Sequence, residues 1–245
     1  MSSLLLLHGF TGTPGSWDLV RNLLPPGLRV VSPWLVGHGR PETALEIETF
    51  EGEVERLLAA VEGPLLVAGY SLGARLALAA AVRQPERVRA AVLVSGSAGL
   101  DTAEARADRE RVDQRWIELL ARDGLESFVA EWEAQPLFAT QSALSSELRR
   151  AERERRLAHT ARGLAHSLRT TGTGRMPPYR SALPSLPQAV EIVTGALDPR
   201  FCAIGQSLAR ELPRSNFTEV ADAGHNLLLE RPRAVADAIS RGLEA

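Results

Sequence analysis

Apolar positions in the first hundred residues fall into four short unbroken runs, at 4–7, 28–32, 64–68 and 90–95. Glycine, proline or polar residues bound each run. A short run without polar alternation fits a strand covered on both faces, as in a parallel sheet. Between the runs, 16–24, 44–61 and 74–82 read as helices. Such alternation predicts βαβ units and a doubly wound sheet. After Gly99 the texture changes. From 101 to about 169 the chain is rich in Arg and Glu, nearly free of Gly and Pro, and helical in period. "DTAE" at 101–104 reads as a capping box of the D-x-x-E kind. "TTGTGRMPPYRSALPSLP" then reads as loop, the strand pattern returns at 189–194 and 216–220, and a helix is expected over 232–243. The expected organisation is an α/β core over 1–99 and 181–245, interrupted at 100–180 by a helical cap or lid.

Composition narrows the chemistry. A chain of 245 residues is long enough for one α/β domain with an inserted subdomain. Its net charge of -2 gives no reason to expect nucleic acid or an anionic membrane as partner. No run approaches the roughly 18 apolar residues that suggest a membrane span. "MSSLLLLHGF" lacks the basic start of a signal peptide. Cys202 is the sole cysteine, so an internal disulfide and a thiolate metal cluster are both excluded. It reads as a small packed loop residue in a cytoplasmic protein. All 28 cationic residues are arginine. That removes a lysine Schiff base, a pyridoxal phosphate anchor and a P-loop lysine.

"GYSLG" at 69–73 follows the apolar "GPLLVA" and precedes the helical "ARLALAAAV". In strand–G-x-S-x-G–helix, the serine sits on a sharp turn that lifts its hydroxyl above the carboxyl edge of the sheet. Free N–H groups and the helix dipole at that point favour a developing anion. The arrangement resembles the nucleophile elbow of the α/β-hydrolase fold, with Ser71 at its tip. A hydroxyl needs a base, and the base needs an orienting acid, in the chain order Ser, Asp or Glu, His. "VEIVTGALDPR" places Asp198 just past a strand, and "FTEVADAGHNLLLERP" places His225 just past the last one. Asp222 is the alternative acid, though its position suggests that it shapes the His225 loop. An oxyanion requires two backbone donors. Leu72 N–H supplies one, and Phe10 N–H in "LHGFTGT" is the candidate for the other. His38 reads as a loop-shaping residue, and His159 and His166 as solvent-facing residues of the helical block. Arg75 lies one helical turn after Ser71. It either reaches into water or binds an anionic substrate, arginine being suited to bidentate carboxylate recognition.

"LLLLHGFTGTPGSW", "VAGYSLGARLAL", "SGSAGL", "FVAEW", "WEAQPLF", "GLAHSLRTTGTG", "TGALDPRF" and "AGHNLLLERP" together resemble 2-succinyl-6-hydroxy-2,4-cyclohexadiene-1-carboxylate synthase. The resemblance runs through nearly the whole chain. It implies a lyase of menaquinone biosynthesis on a hydrolase scaffold, without metal or organic cofactor. The implied substrate is a small molecule with three carboxylates. By resemblance Tyr70, Arg75, Arg109, Trp132 and Arg156 would bind that substrate. For Arg109 and Arg156 the residues alone equally allow an exposed helix face with i,i+4 partners. Two departures stand out: Trp34 in "WLVGHG", where relatives often have aspartate, and Ala74 in "SLGA", where they often have glycine. The same residues also admit a carboxylesterase or carbon–carbon hydrolase using this triad, or a non-catalytic ligand-binding protein. Oligomeric state is not written in any of these patterns.

Overall fold

A computed structural model describes residues 3–244, so positions 1, 2 and 245 of the expected core lie outside the described residues. Strand β1 (Ser3–Leu7) is buried throughout. Leu5 and Leu7 enter the core cluster on one sheet face, and Leu4 and Leu6 enter the cluster on the other. Successive strand side chains point to opposite faces, so four consecutive leucines require both faces to be covered. The edge strands are β2 (Val30–Val31) and β6 (Ser215–Val220), and the inner ones are β3 (Leu65–Tyr70), β4 (Val88–Val94) and β5 (Ala189–Gly195). All pair in parallel, in the order β2-β1-β3-β4-β5-β6.

Helices α1 (Asp18–Arg21), α8 (Leu227–Glu230) and α9 (Pro232–Glu244) cover one face through Val20, Leu227, Leu228, Val235 and Ile239. Helices α2 (Phe50–Ala59), α3 (Leu72–Arg83) and α7 (Pro199–Glu211) cover the other. Between β4 and β5 run α4 (Ala103–Glu133), a 3₁₀ segment (Pro136–Ala143), α5 (Ser146–Leu157) and α6 (Ala161–Thr171). This block holds its own cluster, including Ile117, Phe128, Trp132, Leu164 and Leu168. Phe10 packs against both that cluster and the sheet core. Among the described residues no helix is long and apolar enough to cross a membrane.

Register fixes where the chemistry collects. Leu7 lies opposite Gly69, Tyr70 opposite Val94, and Gly195 opposite Val220. The loops after β1, β3, β4, β5 and β6 therefore leave one common edge. The strand order reverses at β1 and β3, and ligands of open α/β sheets bind outside the carboxyl ends at such a switch point.

Several boundaries differ from the sequence reading for local reasons. The expected helix at 44–61 begins only at Phe50, because Ala44 is left-handed (φ 54°) and Thr49 caps α2 by accepting Gly52 N–H at 3.0 Å. The segment 16–24 is a 3₁₀ turn (Pro14–Trp17) followed by the short α1. The segment at 170–187 contains a 3₁₀ turn, Arg180–Ser185. At "DTAE" the cap is Thr102 rather than Asp101: its Oγ1 accepts Ala105 N–H at 3.1 Å. Thr102→Ala is expected to destabilise the chain by about 1 kcal/mol, roughly 2–4 °C in Tm by differential scanning calorimetry. An Asp101→Ala control should move it far less.

Candidate active site

Ser71 is the N-cap of α3, with φ 54° and ψ −106°, a left-handed conformation that L-residues avoid. Strain of this kind costs about 1–3 kcal/mol and persists only where the surroundings enforce it. Here the enforcers are backbone contacts. A Cβ on Gly69 would overlap the Gly73 carbonyl, and one on Gly73 would overlap the Leu7 carbonyl. The elbow thus closes only with glycine at both flanks. Ser71 N–H donates to Val94 O at 2.9 Å, and Arg75 N–H starts the helical ladder on Ser71 O at 3.2 Å. Ala74 is fully buried and adds its methyl to the sheet core, so this departure from the family pattern leaves the elbow intact.

The three residues expected to work together converge. Ser71 Oγ lies 3.1 Å from His225 Nε2, and His225 Nδ1 lies 2.8 Å from Asp198 Oδ2. Asp198 is also the N-cap of α7, its Oδ1 accepting Phe201 N–H at 3.2 Å. One carboxylate therefore orients the imidazole and starts a helix that the sequence reading did not assign. Asp222 is exposed, with φ 51°, in the turn that leads to His225. Ser95, which the sequence reading passed over, donates its hydroxyl to His225 O at 3.0 Å. The Phe201 ring stacks at a tilt 4.5 Å from the His225 ring. Phe10 and Leu72 both line the adjoining cavity, and neither N–H is spent on a hydrogen bond among the described residues. Among the described residues, no group of three or more His, Cys, Asp or Glu side chains is placed to hold a metal ion.

The cavity, about 460 Å³, opens over Ser71 and His225. Tyr70, Arg75, Arg109, Trp132 and Arg156 all line it. Their charge states differ in how they are compensated. Arg75 makes one side-chain hydrogen bond, to Thr171 O at 2.8 Å, and has no ion-pair partner among the described residues. Burial first, and the Arg109 cation second, pull its pKa down to about 9, still cationic at pH 7. Arg109 pairs with Asp113 at 2.9 Å, and burial raises the Asp113 pKa despite that cation. Arg156 is buried rather than on an exposed face. It bonds Glu133 at 2.9 Å and Gln141 at 3.2 Å, and stacks over Phe138 at 5.3 Å. Glu152, four residues earlier, lies 3.5 Å from it. Trp132 stacks on Phe128 and meets Phe10 edge-on at 5.1 Å, its buried Nε1 without a hydrogen-bond partner among the described residues. Burial, reinforced by Glu152, holds the Tyr70 phenol well above its usual range. The lining also includes Arg200 at the mouth, exposed and without an ion-pair partner among the described residues, which sequence reasoning did not single out.

Two histidines outside this site, His159 and His166, correct the sequence reading. His159 is completely buried, not solvent-facing. Its Nε2 donates to Thr11 O and its Nδ1 accepts Gly39 N–H, both at 3.0 Å, so it ties the helical block to two core loops. Its ring meets His38 edge-on at 5.1 Å, and His38 meets His8 at 4.9 Å. His38 accepts Thr11 N–H at 3.3 Å and donates to Val36 O at 3.0 Å, a loop-shaping role as expected. Trp34 packs edge-on against His8 and His159 and is not among the cavity lining. His166 is half-buried and donates to Ile47 O at 2.8 Å. Cys202 sits in α7 rather than a loop, where its thiol donates to Gly195 O at 3.1 Å.

A family model described as "Alpha/beta hydrolase family" matches residues 4–238. A Bacillus subtilis (strain 168) protein, provisionally named 2-succinyl-6-hydroxy-2,4-cyclohexadiene-1-carboxylate synthase, is 36% identical over 98% of this chain and 90% of its own length. The chain belongs to the α/β hydrolase family, on its 2-succinyl-6-hydroxy-2,4-cyclohexadiene-1-carboxylate synthase branch. A synthase of the same name from Salmonella agona (strain SL483) is 32% identical over 98% of this chain and 92% of its own. The solved structure of MenH from S. aureus superimposes with a TM-score of 0.94 at 26% identity, covering 99% and 93% of the two chains.

Proposed function

We propose that this chain eliminates pyruvate from 2-succinyl-5-enolpyruvyl-6-hydroxy-3-cyclohexene-1-carboxylate, giving 2-succinyl-6-hydroxy-2,4-cyclohexadiene-1-carboxylate. The names fix the bond changes. A 3-ene that becomes a 2,4-diene loses the proton at C2 and the enolpyruvyl oxygen at C5. C2 is α to the succinyl ketone, so its proton leaves as the ketone becomes an enolate. Ser71 Oγ takes that proton, and His225 takes the hydroxyl proton of Ser71, steadied by Asp198. The enolate oxygen sits between the Phe10 and Leu72 N–H groups. An oxyanion hole suits an enolate as it suits a tetrahedral intermediate, since both put charge on a former carbonyl oxygen. Electrons then return through the ring double bond, the C5–O bond breaks, and the leaving group departs as the enolate of pyruvate, which takes the proton held on His225 to become pyruvate and restores the triad. Helices α4, α5 and α6, within 100–180, act as the cap of this cytoplasmic enzyme.

Arg75 is the observation that carries a carboxylate-bearing substrate over an uncharged ester. It is a half-buried cation one turn beyond Ser71, with no ion-pair partner among the described residues. A substrate carboxylate would offset both its desolvation and its repulsion by Arg109. Arg109, Arg156, Tyr70 and Trp132 complete the surface for a three-carboxylate substrate. The test is to supply that substrate and follow pyruvate. Saturable release is expected from the wild type. In Arg75→Ala, kcat/KM should fall about 10–100-fold, the equivalent of about 1.4–3 kcal/mol from a charge-assisted hydrogen bond. Fast turnover of uncharged p-nitrophenyl esters, indifferent to Arg75→Ala and without pyruvate release, would establish the esterase reading instead.

A further inference from the structure

His225 sits on a loop, and the backbone of that loop is held by a carboxylate from further along the chain. Glu230, the last residue of α8, accepts Gly224 N–H on Oε2 at 2.6 Å. Its other oxygen, Oε1, accepts the Thr140 hydroxyl at 3.1 Å. Thr140 belongs to the 3₁₀ segment of the helical block, Pro136–Ala143. The approach is close: a Cβ on Gly224 would overlap Thr140 Oγ1, so the hydroxyl lies directly against the peptide that precedes His225. Two residues before Thr140, Phe138 meets the His225 ring edge-on at 6.3 Å and carries the Arg156 guanidinium on its face. One carboxylate is thus shared between the peptide entering His225 and the segment that brings Phe138 to it.

We propose that Glu230 is a positioning residue. It aligns His225 with Ser71 and makes that alignment depend on the docking of the 136–143 segment. The physical basis is the strength of the two bonds. A charged acceptor bonded to a backbone N–H is shorter and about twice as strong as a neutral pair. Here it acts one residue from the imidazole. The Ser71 to His225 contact at 3.1 Å is the longer of the two triad bonds, so it is the one a small loop shift would break. Thr140 sets the carboxylate's second oxygen, so undocking the segment frees Glu230 to rotate and loosens the Gly224 bond. Arrival of substrate among Trp132 and Arg156, on the same block, would be felt at His225 by this route. The inference rests on Ser71, His225 and Asp198 acting as a triad in the proposed elimination.

The test uses the full-length chain with Glu230→Ala, Glu230→Gln, Thr140→Val and the Glu230→Ala/Thr140→Val pair, each checked for an intact melting transition. Two readouts are taken: pyruvate release, and the rate at which an uncharged fluorophosphonate labels Ser71. Glu230→Ala should lower kcat and the labelling rate about tenfold or more, with KM within twofold. Glu230→Gln, which keeps an acceptor for Gly224 N–H, should recover most of that loss. Thr140→Val should lower both rates about threefold alone and add nothing to Glu230→Ala, because contacting residues in one network are not additive. Unchanged kcat and labelling in Glu230→Ala would overturn the proposal, as would a change confined to KM. Independent, multiplying effects of Thr140→Val and Glu230→Ala would overturn the link to the helical block. Should the wild type release no pyruvate yet label at Ser71 with this variant pattern, the proposed reaction would fall while the positioning role stood.

Discussion

Ser71→Ala should abolish all but about one part in a thousand of pyruvate release, while KM stays near its wild-type value. The serine hydroxyl is the group proposed to take the ring proton, and a positioned general base contributes about 10²–10⁴ in rate. A thousandfold loss corresponds to about 4 kcal/mol of barrier. Substrate affinity should survive, because the arginines and aromatic residues of the cavity belong to other segments. Asp198→Asn extends the test. An asparagine amide can donate to His225 Nδ1, which leaves the proton on Nε2, where Ser71 needs an acceptor. The wrong tautomer costs about 10⁴ in the well-studied serine protease triad. Asn still caps α7, so this variant should keep its melting temperature, whereas Asp198→Ala should also lose about 1 kcal/mol of stability from the missing cap. Single-turnover measurement of pyruvate for all three variants separates chemistry from release. Wild-type turnover by Ser71→Ala would remove Ser71 from the mechanism. A variant that loses stability but keeps its rate would make Asp198 a cap alone.

The four inner strands β1, β3, β4 and β5 were legible because both their faces are buried, which turns strand into an apolar run, and the half-exposed edge strands β2 and β6 by their place in the alternation; all six appear within two residues of the expected bounds. The serine, acid and base were legible because strand ends fix their positions along one edge. Contacts made by polar side chains with groups distant in the chain left no such trace. Nothing in the sequence pairs Ser95 with the His225 carbonyl, 130 residues away, or Glu230 with Thr140. The cap arginines were ambiguous in sequence because i,i+4 pairing and cavity lining are compatible: Arg109 bonds Asp113 and still borders the cavity. Helix α7 was missed because its start coincides with the candidate triad aspartate, and "DPR" reads as a turn until the cap bond is seen. His159 was misplaced because it follows the highly charged helix α5. Its burial comes from loops about 120 to 150 residues earlier, through Gly39 and Thr11.

Those histidines set the second large expectation: acid should unfold this protein steeply, beginning just below pH 6.5. His8, His38 and His159 each donate one ring N–H and accept one backbone N–H, which describes a neutral imidazole with both nitrogens satisfied. Burial, opposed in part by the backbone bond to Gly9, takes His8 down to about 3. Burial likewise takes His159 down to about 4 and His38 well below its ordinary value, with neighbouring histidines adding to the latter. In the unfolded chain these groups bind protons near pH 6.5. Between that value and the folded pKa the unfolded state holds more protons, so stability rises with pH there and is lost as pH falls. The contribution is fully present above pH 6.5. At pH 5 each of His8 and His159 forfeits about 1.5 pH units at 1.36 kcal/mol, about 4 kcal/mol together, and His38 acts in the same direction. Total stability of a domain is about 5–15 kcal/mol, so this loss alone brings many chains near their midpoint. Urea unfolding at pH 8 and pH 5 should show a drop of at least about 4 kcal/mol at constant m. His159→Gln keeps one donor and one acceptor in place but cannot take up the proton, so it should flatten the pH slope by about 1.4 kcal/mol per unit. Equal stability of the wild type at the two pH values would mean that these imidazoles are already charged or hydrated in the folded protein. The cluster also adjoins the site, because Thr11, bonded to both His38 and His159, is the residue after Phe10. The folded cluster takes up protons only near about pH 3 to 4, below the range in which the unfolded state draws the chain apart, so proton entry should not disturb the proposed oxyanion loop ahead of global unfolding.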